Sequence, residues 1–376
     1  MITSFLPHNE QKVSRLGFGA MRLPLLDNND QSSINESEAL TMIRHAIDNG
    51  VTYVDTAYGY HGGKSETFIG KALKDGYREK VSLATKLPVW LVETREDMDR
   101  LFHEQLERLG VEYVDFYLLH ALNQNHFEKM KTLGYQDFLN QLKSEGKIRF
   151  AGFSFHDELD VFKSIIDDYD WDMTQIQLNL LDENYQAGLE GLYYAAKKEI
   201  KIVIMEPLRG GALSSPPKEV QQAYQQFPVS RSSVEWSFRY LYNMPEIMTI
   251  LSGMSTMEQV KDNLRIFAQA KANTLTQEEK ELLEQVKELF LARIKTHCTG
   301  CSYCQPCPQD VKIPDIFRGY DNHYMLDALE GWKKQYASFI ENNHDASKCI
   351  ACGLCEEACP QHLPIISLLE EIHQQA

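Results

Sequence analysis

The chain has 376 residues, of which 43% are hydrophobic, and this length allows one large domain and a second, smaller one. Its 38 Lys and Arg residues face 54 Asp and Glu residues, and the net charge of −16 argues against a nucleic-acid partner because phosphate backbones bind basic surfaces. No apolar run reaches the about 18 residues that would span a bilayer, and the first residues lack the basic head and apolar stretch of a secretory signal. We therefore expect a cytoplasmic protein without a membrane partner.

Short apolar runs alternate with amphipathic stretches along most of the chain. Eight of these runs are predicted strands, and they begin at Leu16, Val51, Val81, Val114, Ile148, Met173, Ile200 and Ile247. Predicted helices lie between them, such as residues 37–50, whose apolar side chains recur at helical spacing and which end in Gly50. Eight strands that alternate with helices predict an α/β fold, a (β/α)8 TIM barrel.

A further amphipathic helix is predicted at residues 276–294. Thr276 and Glu279 form a capping-box pattern at its start, and we expect its apolar face to pack on the barrel. We place the domain boundary directly after this helix. Residues 1–295 then form the barrel, and residues 296–376 form a small, mostly helical domain.

Polar residues close four of the predicted strands, namely Asp55, Lys86, His120 and Ser154. Tyr60 follows shortly after the first of them. A barrel places its chemistry at the carboxyl ends of its strands. A single polar residue there is often a satisfied rim group, but Asp, Lys and His on three consecutive strands predict a functional site.

All eight cysteines lie in two runs near the C-terminus. The first run contains Cys298, Cys301, Cys304 and Cys307, and the second contains Cys349, Cys352, Cys355 and Cys359. The second run has the spacing C-x2-C-x2-C-x3-C-P, which bacterial ferredoxins use for four-iron four-sulfur clusters, with three thiolates on one cluster and the fourth on another. The first run departs from this spacing, with two residues instead of three before its last cysteine.

Two 4Fe-4S clusters with crossed ligands are therefore predicted. The ligand sets are Cys298, Cys301, Cys304 and Cys359 for the first, and Cys349, Cys352, Cys355 and Cys307 for the second. Zinc remains an alternative because thiolates also bind zinc, and disulfides are a third. Residues 325–343, between the runs, have helical spacing and resemble the helical two-cluster ferredoxin modules of several redox enzymes.

The cysteine-containing segment is acidic. From Cys298 to the C-terminus it carries 5 Lys and Arg against 11 Asp and Glu. This balance favours a redox partner protein with a basic docking face, although acidic surfaces also serve solubility.

Several of these motifs match one family in order and spacing. They are LGFGAMRL from Leu16, DTAYGY and SE from Asp55, the strand-closing Lys86, and YLLH ending at His120. By these motifs the chain resembles the aldo/keto reductase family over residues 12 to about 272. The resemblance implies that Asp55, Tyr60, Lys86 and His120 form a catalytic tetrad. Together with the cysteine runs, it suggests an oxidoreductase of this family with a C-terminal ferredoxin-type domain.

The chemistry of the four residues agrees with that role. Hydride reduction of a carbonyl leaves an alkoxide that needs a proton, and Tyr60 could donate it. A tyrosine is a weak acid with a pKa of about 10. We expect the ammonium of Lys86 to lower the pKa of Tyr60, because positive charge favours tyrosinate. Asp55 would hold the lysine in place, and His120 would hydrogen-bond the carbonyl oxygen.

The resemblance also implies a nicotinamide site. Ser154 and Gln175 match residues that contact the nicotinamide carboxamide in the family, but Phe155 stands where the family has Asn. Met205 takes the position of an aromatic residue that stacks on the ring. A methionine can cover a ring as well, with less defined geometry.

The phosphate and adenine contacts follow from two further stretches. EPLRGG matches the phosphate loop and supplies Leu208, Arg209 and Gly211, and the region before the last barrel helix supplies Ser255, Gln259 and Asn263. Arg209 could pair with a phosphate or form a rim salt bridge. Because Gly253 and Gln259 stand where Lys and Arg usually bind the 2′-phosphate, we expect NAD rather than NADP.

These features favour an oxidoreductase that interconverts a small carbonyl or alcohol substrate and passes electrons between its clusters and a partner. Two alternatives remain: an NAD(P)H-dependent reductase whose clusters only stabilise the fold, and an electron-transfer protein with a non-catalytic barrel. A hydride carries two electrons and a cluster accepts one, so a flavin in the barrel or on a partner is a further possible cofactor. The polar loop at residues 121–132 carries no pattern that identifies the substrate.

Overall fold

The computed structural model describes residues 3–6 and 9–375. The chain forms two compact units. The first comprises the described residues up to Gly210 together with Glu235–Leu275, and the second comprises Gly211–Val234 together with the described residues from Thr276 onward. No helix in these described ranges is long and apolar enough to cross a membrane.

The chain begins with an antiparallel hairpin that the sequence did not predict. Strand β1 (Thr3–Leu6) pairs with strand β2 (Asn9–Ser14). Val13 is the one apolar residue of β2, so no alternation of apolar and polar residues marks this strand in the sequence. Its side chain is fully buried in the cluster that fills the barrel.

Eight parallel strands close into a barrel, which confirms the predicted fold class. They are β3 (Leu16–Gly19), β4 (Tyr53–Asp55), β5 (Ser82–Leu87), β6 (Val114–Leu122), β7 (Ile148–Phe155), β8 (Met173–Gln177), β9 (Lys201–Met205) and β10 (Ile247–Gly253). Inside the barrel, the Phe116 ring lies 5.2 Å from the Tyr53 ring and 4.9 Å from the Phe150 ring, centroid to centroid. This packed interior leaves the carboxyl ends of the strands as the place for chemistry.

Helices follow the barrel strands in the predicted alternation. In chain order they are α1 (Glu36–Asp48), α2 (Ser65–Ala72), α3 (Arg95–Leu109), α4 (Gln124–Thr132), α5 (Tyr135–Ser144), α6 (Leu159–Asp168), α7 (Gly188–Lys197), α8 (Lys218–Gln226), α9 (Ser233–Tyr242) and α10 (Met257–Phe267). In α1, the Asn35 side chain accepts a hydrogen bond from the Glu38 backbone and caps the helix. Gly50, with φ of +98°, lies just beyond the end of α1, as its sequence predicted.

Residues 121–132 are not a loop, contrary to the expectation from their polarity. Most of them form α4, because the side-chain oxygen of Asn123 accepts a hydrogen bond from the backbone of His126 at 2.8 Å and caps the helix. Phe127 and Met130 are buried and hold α4 in place. The polar character of this stretch therefore belongs to a helix cap and an exposed helix face.

The second unit is mostly helical, as predicted. Besides α8, its helices are α11 (Gln277–Leu291), α12 (Ile313–Met325), α13 (Leu329–Glu341), α14 (Leu354–Glu357) and α15 (Ile365–Gln374). The helix predicted at residues 325–343 begins later, at Leu329, because Asp327 adopts φ of +57° and separates α13 from α12. Its predicted apolar face is confirmed at Trp332 and Tyr336, which are both buried.

Helix α11 has the predicted capping box of Thr276 and Glu279. Two ion pairs connect the α8 and α11 regions of the second unit. Arg293, just after α11, pairs with Glu219 of α8 at 3.2 Å, and Glu279 of α11 pairs with Arg231, which follows α8, at 2.7 Å. The predicted domain boundary at residue 295 was placed just before the first cysteine run. The contacts in the structure divide the chain differently, because they group α8 and α11 with the cysteine-containing unit.

A buried carboxylate fixes the segment that leads into the first cysteine run. Asp321 in α12 accepts hydrogen bonds from the backbone N–H groups of Lys295 and Thr296 at 2.9 and 2.8 Å, and also from the Thr296 hydroxyl. Both Thr296 and Asp321 are buried. These bonds define where the chain enters the run that starts at Cys298.

Replacing Trp332 with Ala should lower the free energy of unfolding of the second unit by about 3 kcal/mol or more, because the indole is fully buried and its loss leaves a cavity. Leu329→Ala in the same helix is the matched control, since Leu329 is 38% exposed. Denaturant unfolding followed by circular dichroism would measure both. Equal effects of the two variants would contradict the packing described here.

Candidate functional site

Three neighbouring barrel strands bring the predicted tetrad together. Asp55 is the last residue of β4, and Lys86 and His120 lie near the carboxyl ends of β5 and β6. Asp55 pairs in register with Ala84, one strand across. Tyr60 begins a 3-10 turn that follows β4. The four side chains therefore meet at the end of the barrel where this fold places its chemistry.

The ammonium of Lys86 contacts three oxygen atoms. Its Nζ lies 2.7 Å from Oδ1 of Asp55, 2.8 Å from the carbonyl oxygen of Thr56 and 3.3 Å from the Tyr60 hydroxyl. Lys86 has no exposed surface, and Asp55 is 2% exposed. The buried lysine thus donates to a carboxylate and a phenol at once.

Burial and charge act against each other in this pair. Burial alone would lower the pKa of Lys86, but Asp55 and then Tyr60 outweigh it, so the pKa lies above its usual value. Burial raises the pKa of the Asp55 carboxyl, and Lys86 opposes that rise. We conclude that the pair is ionised at neutral pH because each partner stabilises the charge of the other.

Lys86 acts to lower the Tyr60 pKa, as predicted, but burial of the phenol acts in the opposite direction and is the larger influence. Burial raises the pKa of Tyr60 above 10, and the nearby Lys86 opposes the rise without overcoming it. The reason is that the lysine charge is already shared with Asp55, while the phenol has lost most of its water. Tyr60 is therefore a protonated phenol at neutral pH, which is the form that donates a proton.

His120 completes the site as a neutral ring. Its ring centroid lies 6.0 Å from that of Tyr60, with the planes at 79°. Burial, followed by the charge of Lys86, lowers the pKa of His120 well below 6.5. Its Nδ1 atom is buried and has no hydrogen-bond partner among the described residues. A neutral imidazole in this position can bind a polar group of a ligand without adding charge.

Trp90 borders the site, although sequence reasoning did not select it. It lies in the 3-10 turn Val89–Leu91 after β5, and its ring is 5.0 Å from the His120 ring. Its Cζ2 atom lies 4.0 Å from where a Cβ on Gly59 would be. Trp90 is 43% exposed, so it offers an aromatic wall to a ligand. An exposed tryptophan soon after the strand lysine is the signal that could have identified it.

A buried network supports the strand that carries Lys86. Nε2 of Gln105 donates to the Lys86 carbonyl oxygen at 2.9 Å and to Oε1 of Glu66 at 2.6 Å. Thr85 also donates to Glu66, at 2.6 Å. Burial raises the pKa of Glu66, and these hydrogen bonds together with the charge of Arg108 oppose that rise. The Ser-Glu motif that follows Tyr60 in sequence thus serves to position Lys86.

The residues predicted to contact nicotinamide lie on adjacent strands. Ser154 pairs in register with Gln175, and its hydroxyl accepts a hydrogen bond from the Ala121 backbone at 2.7 Å. Nε2 of Gln175 lies 3.7 Å from the Met205 sulfur, whereas its Oε1 is buried and has no hydrogen-bond partner among the described residues. Phe155 is fully buried. The side-chain carbonyl of Gln175 is therefore an unsatisfied hydrogen-bond acceptor, and the N–H group of a bound amide could donate to it.

The predicted phosphate loop contains a salt bridge. Nε of Arg209 lies 3.4 Å from Oδ2 of Asp182, an acidic residue that sequence reasoning missed. Asn179 also donates to this carboxylate, at 2.8 Å. Leu208 beside Arg209 is half-buried, and Gly211 has φ of +98°, a conformation that favours glycine. Of the two roles that the sequence allowed for Arg209, the salt bridge at the barrel rim is thus present in the structure.

The predicted adenine-side residues form hydrogen bonds with other residues of the barrel. The Ser255 hydroxyl donates to the Arg22 carbonyl oxygen at 2.7 Å, and Oε1 of Gln259 accepts from the Ser255 backbone at 2.7 Å. Asn263 is buried, and its amide donates to the Ser252 hydroxyl at 3.0 Å. None of the three predicted residues carries a positive charge.

In the second unit the cysteines surround two cavities, of about 540 and about 330 Å³ including their open mouths. The larger, called here the Cys352 cavity, is lined by Cys304, Cys307, Cys349, Cys352 and Cys355. The smaller, the Cys301 cavity, is lined by Cys298, Cys301, Cys304 and Cys359. Each cavity combines thiols from both runs. Within the described part of the chain, no three Cys, His, Asp or Glu side chains converge on one point as they would around a single metal ion.

Comparison with known families gives two matches. Residues 15–288 match the aldo/keto reductase family, and residues 297–363 match the 4Fe-4S dicluster domain. The first match covers the barrel strands and the tetrad, and the second covers both cysteine runs.

Curated relatives align over most of the barrel. An uncharacterized oxidoreductase, YqkF, from Bacillus subtilis (strain 168) is 25% identical over 304 residues, which cover 72% of this chain and 92% of that protein. L-galactose dehydrogenase from Arabidopsis thaliana is 27% identical over 304 residues, which cover 74% of this chain and 93% of that protein.

Solved structures share the barrel. The holo form of aldo-keto reductase AKR11C1 from Bacillus halodurans aligns with a TM-score of 0.63 and 25% identity, covering 76% of this chain and 96% of that chain. An aldo-keto reductase from Klebsiella pneumoniae in complex with NADPH aligns with a TM-score of 0.59 over the same shares. At 22% identity this second likeness supports the fold alone.

His120 should remain neutral down to mildly acidic pH, because burial and Lys86 both disfavour its protonation. NMR of ring-labelled histidines should find no titration of His120 between about pH 6 and 8. Since its folded-state pKa lies below the unfolded value of about 6.5, His120 should lower the free energy of unfolding as pH falls below 6.5. Lys86→Met should shift the pKa of His120 upward, because a positive charge near the ring is lost. A titration midpoint of His120 near 6.5 in the unmodified protein would contradict the burial argument.

Proposed function

Because this chain belongs to the aldo/keto reductase family and contains a 4Fe-4S dicluster domain, we propose that it interconverts a carbonyl and an alcohol with a nicotinamide dinucleotide, and that its clusters exchange electrons with a partner protein. The oxidoreductase class follows from the family. The observation that best supports the proposed carbonyl–alcohol interconversion is the position of the Lys86 ammonium. This buried group contacts both Asp55 and the Tyr60 hydroxyl.

The barrel mouth fits a nicotinamide. The buried Oε1 of Gln175 lacks a donor among the described residues, and a carboxamide N–H would supply one. Ser154 on the adjacent strand can donate its hydroxyl hydrogen to the carboxamide oxygen. Met205, next to Gln175, would cover the ring face. When bound, the nicotinamide supplies or accepts the hydride.

In this proposal the four tetrad residues orient the substrate carbonyl and supply the proton that it needs. His120, neutral and with a free ring nitrogen, hydrogen-bonds the carbonyl oxygen and orients it towards Tyr60. Tyr60 donates its proton to the developing alkoxide, which is a much stronger base than a phenolate, so a raised pKa does not prevent the transfer. Lys86 stabilises the resulting phenolate, and Asp55 keeps the lysine charged and in place.

The cofactor preference for NAD follows from the adenine side. Gly253, Ser255 and Gln259 offer no cation for a 2′-phosphate. Arg209 is already paired with Asp182, which reduces its ability to replace one. A flavin at the barrel mouth or on the partner remains the alternative cofactor.

The cysteine cavities support the electron-transfer half. Each presents at least four thiols, the donor set that iron–sulfur clusters take, and each draws them from both runs, in agreement with the crossed ligand sets. When bound, each cluster exchanges one electron at a time. Zinc would need four thiolates around one point, an arrangement that no group of described residues forms.

The rim of the Cys352 cavity is suited to docking. Its exposed apolar residues are Tyr303, Pro306, Pro308, Ile350 and Leu354. Cys352 itself is exposed, so a partner could approach closely. The excess of acidic residues after Cys298 favours a partner whose own apolar patch is surrounded by Lys and Arg. The competing function, a reductase whose clusters only stabilise the fold, has no need for this exposed apolar rim.

Replacing Tyr60 with Phe should lower carbonyl turnover by roughly 100-fold to 10,000-fold while leaving dinucleotide affinity nearly unchanged, because only the proton donor is lost. Tyr58→Phe is the matched control, since the Tyr58 hydroxyl bonds Glu104 and lies outside the tetrad. Steady-state kinetics and a dinucleotide titration would measure both variants. Normal turnover in Tyr60→Phe would remove Tyr60 from the mechanism.

Anaerobic addition of NADH together with a flavin, which accepts the hydride and passes on single electrons, should bleach the broad visible absorbance of the clusters if they take part in the reaction. Cys352→Ser should then reduce electron delivery to a one-electron acceptor far more than it reduces the amount of folded protein. Ser302→Ala, which removes a hydroxyl beside Cys301 and no thiol, is the control. A loss of acceptor reduction that only follows the loss of folded protein would support the structural role instead.

A further inference from the structure

The phosphate side of the barrel mouth contains a cation, Arg22, that lies in the LGFGAMRL motif but was not among the predicted site residues. Arg22 ends the 3-10 turn Ala20–Arg22, which follows β3. Its carbonyl oxygen accepts a hydrogen bond from the Ser255 hydroxyl at 2.7 Å, and the next backbone N–H, of Leu23, donates to Nε2 of His61 at 3.2 Å. The backbone at Arg22 is therefore fixed from two sides.

The Arg22 side chain crosses the end of β10 at a glycine. A Cβ placed on Gly253 would lie 2.7 Å from Cγ and 3.0 Å from Cβ of Arg22. The end of the side chain reaches the phosphate loop, where its Nη2 atom lies 3.9 Å from where a Cβ on Gly210 would be. Any larger residue at position 253 would have to displace the arginine stem.

The charge of Arg22 has no counterion among the residues that the structure describes. Among the described residues, no carboxylate forms a salt bridge with it, and its side chain is exposed. Arg209, on the same loop as Gly210, is paired with Asp182 at 3.4 Å. In a chain with 54 acidic and 38 basic residues, an unpaired guanidinium beside a glycine of positive φ is a suitable place for an anion.

We infer that Arg22 binds the pyrophosphate of the dinucleotide, and that Gly253 allows it to do so by leaving the path across β10 open. The inference rests on the proposed function, because it requires a dinucleotide at the barrel mouth. A guanidinium can form two parallel hydrogen bonds with phosphate oxygens, which fits a ligand that must be held in one orientation. Gly253 thus lacks the positive charge that would bind a 2′-phosphate, but it leaves room for Arg22 to reach the pyrophosphate.

Position distinguishes the two phosphates. The Arg22 guanidinium lies beside Gly210 in the loop after β9. Of the two residues at the expected 2′-phosphate positions, Gly253 lies beside the Arg22 stem, and Gln259 lies in the first turn of α10 and bonds Ser255. NADH and NADPH share the pyrophosphate. Arg22 therefore strengthens the binding of both dinucleotides equally and does not select between them.

The test compares Arg22→Ala with Lys261→Ala, an exposed cation on α10, in the anaerobically purified full chain. Calorimetric titrations with NADH, NADPH and ADP-ribose should show roughly tenfold or greater weakening of all three in Arg22→Ala, the size expected for a lost charge-assisted hydrogen bond. Lys261→Ala should leave NADH and ADP-ribose affinity unchanged. Gly253→Ala should weaken all three as well, because its Cβ displaces the Arg22 stem.

Two results would overturn the inference: unchanged affinity in Arg22→Ala, or a loss confined to NADPH, which would place the arginine at the 2′-phosphate. Circular dichroism of each variant confirms that the fold is retained. If the unmodified protein binds none of the three ligands, the proposed nicotinamide function fails, and the inference fails with it. Binding by the unmodified protein with no effect of Arg22→Ala rejects the inference alone.

Discussion

A buried ammonium, that of Lys86, is the group on which the barrel mouth depends. Its charge lies away from water and is balanced by Asp55, the Thr56 carbonyl and the Tyr60 hydroxyl. Removing one partner of a buried ion pair costs about 3–5 kcal/mol, because the remaining charge is left uncompensated. The strand order, the turn after β4 and the Gln105–Glu66 network all serve to keep these oxygens within reach of one nitrogen.

The two units place different demands on their surroundings. At the barrel mouth the ion pair of Lys86 and Asp55 is buried, and such burial strengthens electrostatic interactions. The cysteine cavities open to the surface, and exposed apolar side chains surround the larger one. The proposed electron exchange with another protein would use such access. A packed core of α12, α13 and α15 holds the two cysteine runs in position.

Much of the fold could be predicted because the signals are local or regular. The eight strands, the capping box at Thr276 and Glu279, and Gly50 beyond α1 depend on neighbouring residues or on a repeating order. The hairpin at the start and the break at Asp327 escaped prediction, since a strand with one apolar residue and a single left-handed residue leave no periodic trace.

The sequence by itself determined the candidate residues: Asp55, Lys86 and His120 close predicted strands, Tyr60 follows shortly after the first, and the cysteines have cluster spacing. Only the tertiary structure decided how they behave. It places Trp90 beside His120 and the Arg22 side chain across Gly253, and it shows that burial raises the pKa of Tyr60 while Lys86 opposes the rise. The physical reason is that desolvation and contacts between distant residues depend on the packing of the whole chain, and no spacing within the sequence records them.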